Sequence, residues 1–278
     1  MKLMEGLALI LTASCSTYTL ANDSQNHANT DQFVRYHYQD KISYGKLTKG
    51  TIFPINGDIF SEYSVEKTSI PLESVDLLLP TEPEKVFAVG MNYVSHAASH
   101  PDLPPPLFLK LPSSLILSGE TIHAPFDAQN VHFEGELVVV IGKEISKASQ
   151  EEAEDAIFGV TVGNDITERS WQNSDLQWLR AKASYGFGPI GHTIVKGVDY
   201  NDVELTTRVN GDIVQQENTS FMIHSPRKVV SYLSHYFTLK PGDLVFMGTP
   251  GRTHALVDKD QVSVTIKGVG TVTNEIRF

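Results

Sequence analysis

The chain has 278 residues, enough for one large domain or for a small domain joined to a larger one. Hydrophobic residues make up 41% of it and charged residues 20%, which excludes a disordered or fibrous composition. With 22 Lys and Arg against 33 Asp and Glu, the formal net charge is −11 and no basic block stands out, which argues against nucleic-acid binding.

The first residues differ from the rest. Lys2 precedes a short apolar stretch, Leu7 to Ala13, and small residues follow up to Ala21. That layout predicts a secretory signal over 1–21, with an apolar core too short to span a bilayer. An exported, periplasmic protein with no stable membrane insertion is expected. The alternative is a cytoplasmic protein whose N-terminus carries no working signal, and Glu5 is an awkward charge for one. Cys15, the only cysteine, follows Ser14 and admits a lipoprotein reading, although Thr12 stands where an aliphatic residue is usual. Cleavage after Ala21 leaves neither disulfide nor thiolate chemistry.

Residues 22–31 are polar and read as a flexible leader. From 32 to 80 come short alternating segments, including Phe33 to Tyr38, Ile42 to Leu47 and Thr51 to Pro54. They predict a small β-rich N-terminal domain, with Asn56-Gly57 as a tight turn between strands. Pro80-Thr81-Glu82-Pro83 marks its boundary with a main body over 81–278.

In that body Val86 to Gly90 reads as a strand leading into a polar segment with Asn92, Tyr93 and His96. The proline-rich stretch Pro101 to Pro106 breaks the chain before a strand at Leu107 to Lys110. Helices are expected over 151–157 and 226–236, the second from Val229, Val230, Leu233 and Phe237 at helical spacing. Strands are expected at 244–247 and 262–266. No Gly-rich phosphate loop is present. Strands outnumber helices, so the fold class is α+β, β-dominated.

Three acids carry the chemistry. Leu137 to Ile141 is an unbroken apolar run of β-branched character, hence a buried strand, and Glu134 and Glu136 precede it on one face. Two carboxylates at the mouth of a buried strand repel each other and lose hydration unless a cation sits between them. Asp165 ends a second apolar segment, Ile157 to Val162, and offers a third oxygen ligand. Three carboxylates without cysteine suit a hard divalent ion such as Mg²⁺ or Mn²⁺. The bland alternative for a Glu-x-Glu pair is a solvated sheet edge.

Several segments together resemble the fumarylacetoacetate hydrolase superfamily, over nearly the whole of Phe33 to Phe278. They are Gly90-Met91-Asn92-Tyr93-Val94-Ser95-His96, Phe108-Leu109-Lys110, His132 to Leu137, Gly163 to Arg169, Trp171-Gln172, Ala181-Lys182, Val209-Asn210-Gly211, Lys240 to Asp243 and Met247 to Pro250. The resemblance implies a mixed β-sheet roll as catalytic domain and a likeness to enzymes that cleave or rearrange small keto, β-diketo or dienoic acids. It implies Glu134, Glu136 and Asp165 as ligands of Mg²⁺ (or Mn²⁺ or Ca²⁺), and a small anionic keto acid as partner. Lys182 then stabilises developing negative charge and His96 is the general base. Arg169, Gln172 and Thr249 line the substrate site, and a homodimer is expected.

Read alone, Lys182 is a surface lysine and His96 an incidental histidine. Water-using relatives carry a glutamate where this chain has Ser99, and a serine cannot stabilise an imidazolium as a carboxylate does. Gly251-Arg252-Thr253-His254 also replaces a loop of small residues, so Arg252 or His254 either alters substrate choice or sits in solvent. The leading expectation is a metal-dependent hydrolase cleaving a C–C bond in an acylpyruvate-type acid. An isomerase or decarboxylase of a 2-hydroxydienoic acid or oxaloacetate is the alternative, and a catalytically quiet exported binding protein is a third.

Overall fold

Two strands dictate the architecture because both of their faces are apolar. Gly135–Ile141 is buried at every residue and pairs antiparallel with Ile157–Asn164 near the centre of a 14-stranded sheet. The computed structural model describes residues 30–96 and 100–278, so the expected signal with Cys15, nearly all of the leader, and Ser99 lie outside the described residues. Alternation along Gly135–Ile141 sends Leu137, Val139 and Ile141 into one core and Val138 and Val140 into another. The register shifts between Val140 and Ile141, which leaves Phe158 unpaired opposite them. That bulge puts Phe158 in the second core although Val160 and Val162 belong to the first.

The large sheet runs from Tyr63–Val65 through Thr51–Gly57, Lys41–Thr48, Asp31–Tyr38, Thr193–Lys196 and Ile157–Asn164. It continues through Gly135–Ile141, Leu244–Phe246 and Val86–Val89 to Leu107–Lys110. The N-terminal strands therefore enter the same sheet as the body. Asp31–Tyr38 pairs antiparallel with Thr193–Lys196, Phe33 opposite Ile194. A five-stranded sheet of Ile122–His123, Gly270–Arg277, Gln261–Ile266, Glu204–Val209 and Asp212–Asn218 covers one face of it. Leu205, Val264, Ile266 and Val272 from that layer share a core with Leu137 and Val139. At Gly135 the two layers come so close that a Cβ would lie 2.2 Å from Thr207 Oγ1. The strand-dominated mixed-sheet fold is as expected.

Some local expectations need correction. Asn56 and Gly57 are not a turn but pair in the ladder with Ser64 and Tyr63. The chain reverses at the next residues, where Asp58 Oδ1 accepts from Phe60 N at 3.0 Å and Asp58 O from Ser61 N at 3.0 Å. The tight left-handed turns fall at Gln39-Asp40 and Lys49-Gly50 instead. The helices are Gln150–Ala156, closed by a capping box of Ser149 and Glu152, and Pro226–Ser234, so each stops one or two residues before its expected end. Phe237 lies outside the second helix, its ring 5.0 Å from that of Phe87. Among the described residues no helix is long and apolar enough to cross a membrane.

Candidate metal centre

Backbone pairing brings the three acids together. Glu136 sits opposite Gly163, Asp165 N donates to Glu134 O at 2.8 Å, and Glu134 N donates to the Asn164 side chain at 2.9 Å. One oxygen from each of Glu134, Glu136 and Asp165 falls within a 4.8 Å span. Their exposures of 4%, 1% and 0% rule out a solvated sheet edge. Gly163 makes the packing possible, because a Cβ there would lie 2.6 Å from both Phe246 Cε1 and Val138 Cγ2.

Basic groups converge on the same carboxylates from two short helices and an edge strand. The helix Leu179–Ala183 carries Lys182, whose Nζ donates to Glu134 Oε2 at 2.5 Å and to Asp165 Oδ2 at 2.6 Å. The helix Arg169–Ser174 is capped by the Glu168 carboxylate on Trp171 N. From its first turn Arg169 Nη2 reaches Glu134 Oε1 at 2.5 Å, while Nη1 donates to Gln172 Oε1 at 2.8 Å. Lys110, at the end of Leu107–Lys110, is fully buried and donates to Asp165 Oδ1 at 2.6 Å, to Phe187 O at 3.0 Å and to Lys182 O.

The three acids do not share this help equally. Burial alone would raise Glu134, but the Lys182 and Arg169 charges hold its carboxyl well below the ordinary range. Glu136 goes the other way: burial, then the Asp165 and Glu134 charges, push it well above that range, and one hydrogen bond from Gly248 N at 2.7 Å does not offset them. Lys182 is raised, since Asp165 and Glu134 outweigh its burial, whereas burial lowers Lys110 despite Asp165. A buried all-oxygen donor set with one electrostatically unsatisfied carboxylate fits a hard divalent cation.

Around this centre lies a cleft of about 40 Å³. His96, Glu134, Glu136, Gln172, Lys182 and Thr249 line its polar side, and Val89, Met91, Phe108 and Trp178 line the rest. All eight candidate residues thus converge on one place, six at the cleft surface and Asp165 and Arg169 bonded to those six. His96 Nε2 is 3.7 Å from Glu134 Oε1, and Nδ1 is 2.6 Å from Gly251 O. A carbonyl only accepts, so Nδ1 donates in this bond and Nε2 is the ring nitrogen turned towards the acids. Gly251 N in turn donates to Ser95 Oγ at 3.0 Å. The Thr249 hydroxyl donates to Gly135 O at 2.9 Å and accepts from Gln215 Nε2 at 2.9 Å, which ties its loop to the strand that starts the centre.

Sequence reasoning missed Lys110, Gln215, Met91 and Trp178. The signal for Lys110 was a lysine closing the apolar run Leu107-Phe108-Leu109, which reads equally well as a solvated strand end.

A histidine beneath the centre gives a stability prediction. His132 bonds to Thr253 Oγ1 at 2.8 Å and Asn130 Oδ1 at 2.9 Å, and burial, then the Arg169 charge, push it down from 6.5 to about 4. Between those values the unfolded chain holds a proton that the native state refuses, so stability falls as pH drops from 6.5 towards 4. Allowing for screening at this half-buried site, the loss is about 1–2 kcal/mol. Urea titrations of the wild type and His132→Gln at pH 7 and pH 4.5 should differ by that amount in their pH sensitivity.

Comparison with known proteins agrees with this geometry. The model of the fumarylacetoacetate (FAA) hydrolase C-terminal family matches residues 85–277, and an Rv2993c-like N-terminal model matches residues 32–80. The chain is 44% identical to protein Rv2993c of Mycobacterium tuberculosis over 214 residues, 75% of this chain and 81% of that one. Among solved structures it resembles a 2-hydroxyhepta-2,4-diene-1,7-dioate isomerase from Mycobacterium marinum. That match has a TM-score of 0.83 and 38% identity, covering 89% of this chain and 98% of the other. A fumarylpyruvate hydrolase from Pseudomonas aeruginosa, solved with Mn²⁺ and pyruvate, matches with a TM-score of 0.65 and 28% identity over 77% of this chain and 93% of its own. By its sequence, its fold and its buried acidic centre, the chain belongs to the fumarylacetoacetate hydrolase family.

Proposed function

We propose that this chain is a divalent-metal-dependent enzyme that moves a proton between the enol and keto forms of a small 2-oxo or 2-hydroxydienoic acid. Glu134, Glu136 and Asp165 would hold Mg²⁺ or Mn²⁺, which supplies positive charge to the keto oxygen of a chelating keto acid. The remaining work falls to the chain's own side chains. His96, oriented by its Nδ1–H bond to Gly251 O, takes at Nε2 the proton next to the keto carbon and returns it elsewhere on the enol. Lys182, with its charge secured by two carboxylates, stabilises negative charge developing beside it. Gln172, held by Arg169, and Thr249, held by Gln215, line the cleft and orient the substrate.

The observation that carries this reading is the His96–Gly251 hydrogen bond. On the Nδ1 side the partner is a neutral carbonyl that fixes the ring, while Nε2 has the Glu134 carboxylate within 3.7 Å, an arrangement that suits reversible proton shuttling at Nε2. The isomerase among the solved relatives points the same way. C–C hydrolysis of an acylpyruvate is the second reading, favoured by the fumarylpyruvate hydrolase likeness.

The test is deuterium exchange. With Mg²⁺ in D₂O, the wild type should wash deuterium into C3 of a 2-oxo acid, followed by proton NMR. His96→Gln should be slower by about 10²–10⁴-fold. Stoichiometric pyruvate released from acetylpyruvate, with no exchange preceding it, would replace this reading with hydrolysis.

A further inference from the structure

Two residues of the cleft have a backbone conformation that their side chains disfavour. Met91 has φ of 52°, and Trp178 has φ of 57° with ψ of 11°. The other described non-glycine residues with positive φ are Gln39, Asp40, Lys49, Lys147, Asn210 and Lys259, all polar. A bulky apolar residue in the left-handed region persists only where its surroundings over-determine it, and such strain gathers at ligand-contacting positions.

Both positions are over-determined here. Met91 lies between Gly90, whose N donates to Pro106 O at 2.8 Å, and Asn92, whose side chain bonds to His224 N, His224 O and Met247 O at 2.8 to 3.1 Å. Trp178 O receives the Lys182 N–H at 2.9 Å, so the turn that aims its indole also sets the lysine. The indole packs edge-on against Phe108 at 5.6 Å and passes 3.6 Å from where a Cβ of Gly90 would stand. Met91, 39% exposed, forms the rim of the same wall.

This wall faces a polar centre whose cations are spoken for. Lys182, Arg169 and Lys110 each already pair with Glu134 or Asp165. A substrate whose head chelates at the acids would present its far end to Met91, Trp178 and Phe108. Val89, Gly90, Met91, Phe108 and Trp178, the described residues of this wall, carry no charge, so a carboxylate against them would lose hydration without an ion-pair partner in the wall.

We infer that Met91 and Trp178 are specificity-determining residues that select a 2-oxo acid with a short uncharged tail and reject one with a second carboxylate. This rests on the proposed function, since it takes the keto-acid head to lie at the acidic centre. It separates this chain's preference from the dioate named for its M. marinum relative.

The test is calorimetric binding to the Mg²⁺-loaded protein of two acids alike in head and length, 2-oxopentanoate and 2-oxoglutarate. The uncharged tail should bind tighter by about tenfold or more. Trp178→Gly, which keeps the turn but removes the indole, should weaken 2-oxopentanoate by about tenfold and leave pyruvate, which has almost no tail, nearly unchanged. Met91→Arg should narrow or reverse the preference. Equal binding, or tighter binding of 2-oxoglutarate, overturns the inference while the keto-acid reading stands, and would point to Arg252, exposed on the neighbouring loop. If neither acid nor pyruvate binds, the keto-acid reading falls and takes this inference with it.

Discussion

Glu136→Gln should lose metal-dependent turnover by about 10³-fold or more, the scale of several kcal/mol that a bound cation contributes to charge stabilisation. The same substitution should make the metal-free protein more stable. Glu136 is the acid that burial, Asp165 and Glu134 drive upward, so its ionised form opposes folding. A carboxyl whose native pKa exceeds its unfolded one binds more protons in the native state. The metal-free wild type therefore loses stability as pH rises above the ordinary carboxyl range, and a neutral amide at 136 removes that loss. About 1–2 kcal/mol of stabilisation is expected, together with disappearance of the rise in Tm on adding Mn²⁺. Thermal scans with and without Mn²⁺, beside the turnover assay, measure both. A variant that still gains Tm with Mn²⁺ would remove Glu136 from the centre.

Lys110→Met should be the most destabilising single change at the site. It leaves Asp165 with one ammonium instead of two and takes a donor from the Lys182 carbonyl and from the Phe187 carbonyl, which keeps only its bond from Ile166 N. Breaking a buried pair by deleting one partner costs about 3–5 kcal/mol. Because the loss comes from an uncompensated charge, Lys110→Met combined with Asp165→Asn should recover a large part of it. A double-mutant cycle in urea would give the coupling. If the two single losses simply add, the ion pair is not what stabilises this corner.

These residues differ in how far the sequence exposes them. Glu134, Glu136 and Asp165 are legible because charge abutting the most apolar strands is physically anomalous wherever the strands end up. The β-dominated class follows from the same runs. Arg169, Gln172 and Lys182 ride on helices of six and five residues, too short for any periodicity to register, so only the family resemblance singles them out. Lys110 illustrates a different loss, since one-dimensional pattern cannot distinguish a strand end that meets water from one that meets a carboxylate. Met91 and Trp178 depend on a backbone twist that neither side chain prefers. The misplaced turn at Asn56-Gly57 has a local cause, the competing side-chain bond of Asp58.

The pairing of Asp31–Tyr38 with Thr193–Lys196 has a consequence for any attempt to trim the chain. Removing everything before Lys85 would not release a self-contained catalytic half. It would uncover the outer side of Thr193–Lys196, a row of amides and carbonyls in the middle of what had been a continuous ladder, with the apolar Ile194 and Val195 at its centre. Such a raw border invites pairing with any extended peptide, including another copy's. The shortened protein would therefore fail by clumping before it failed by losing its acids.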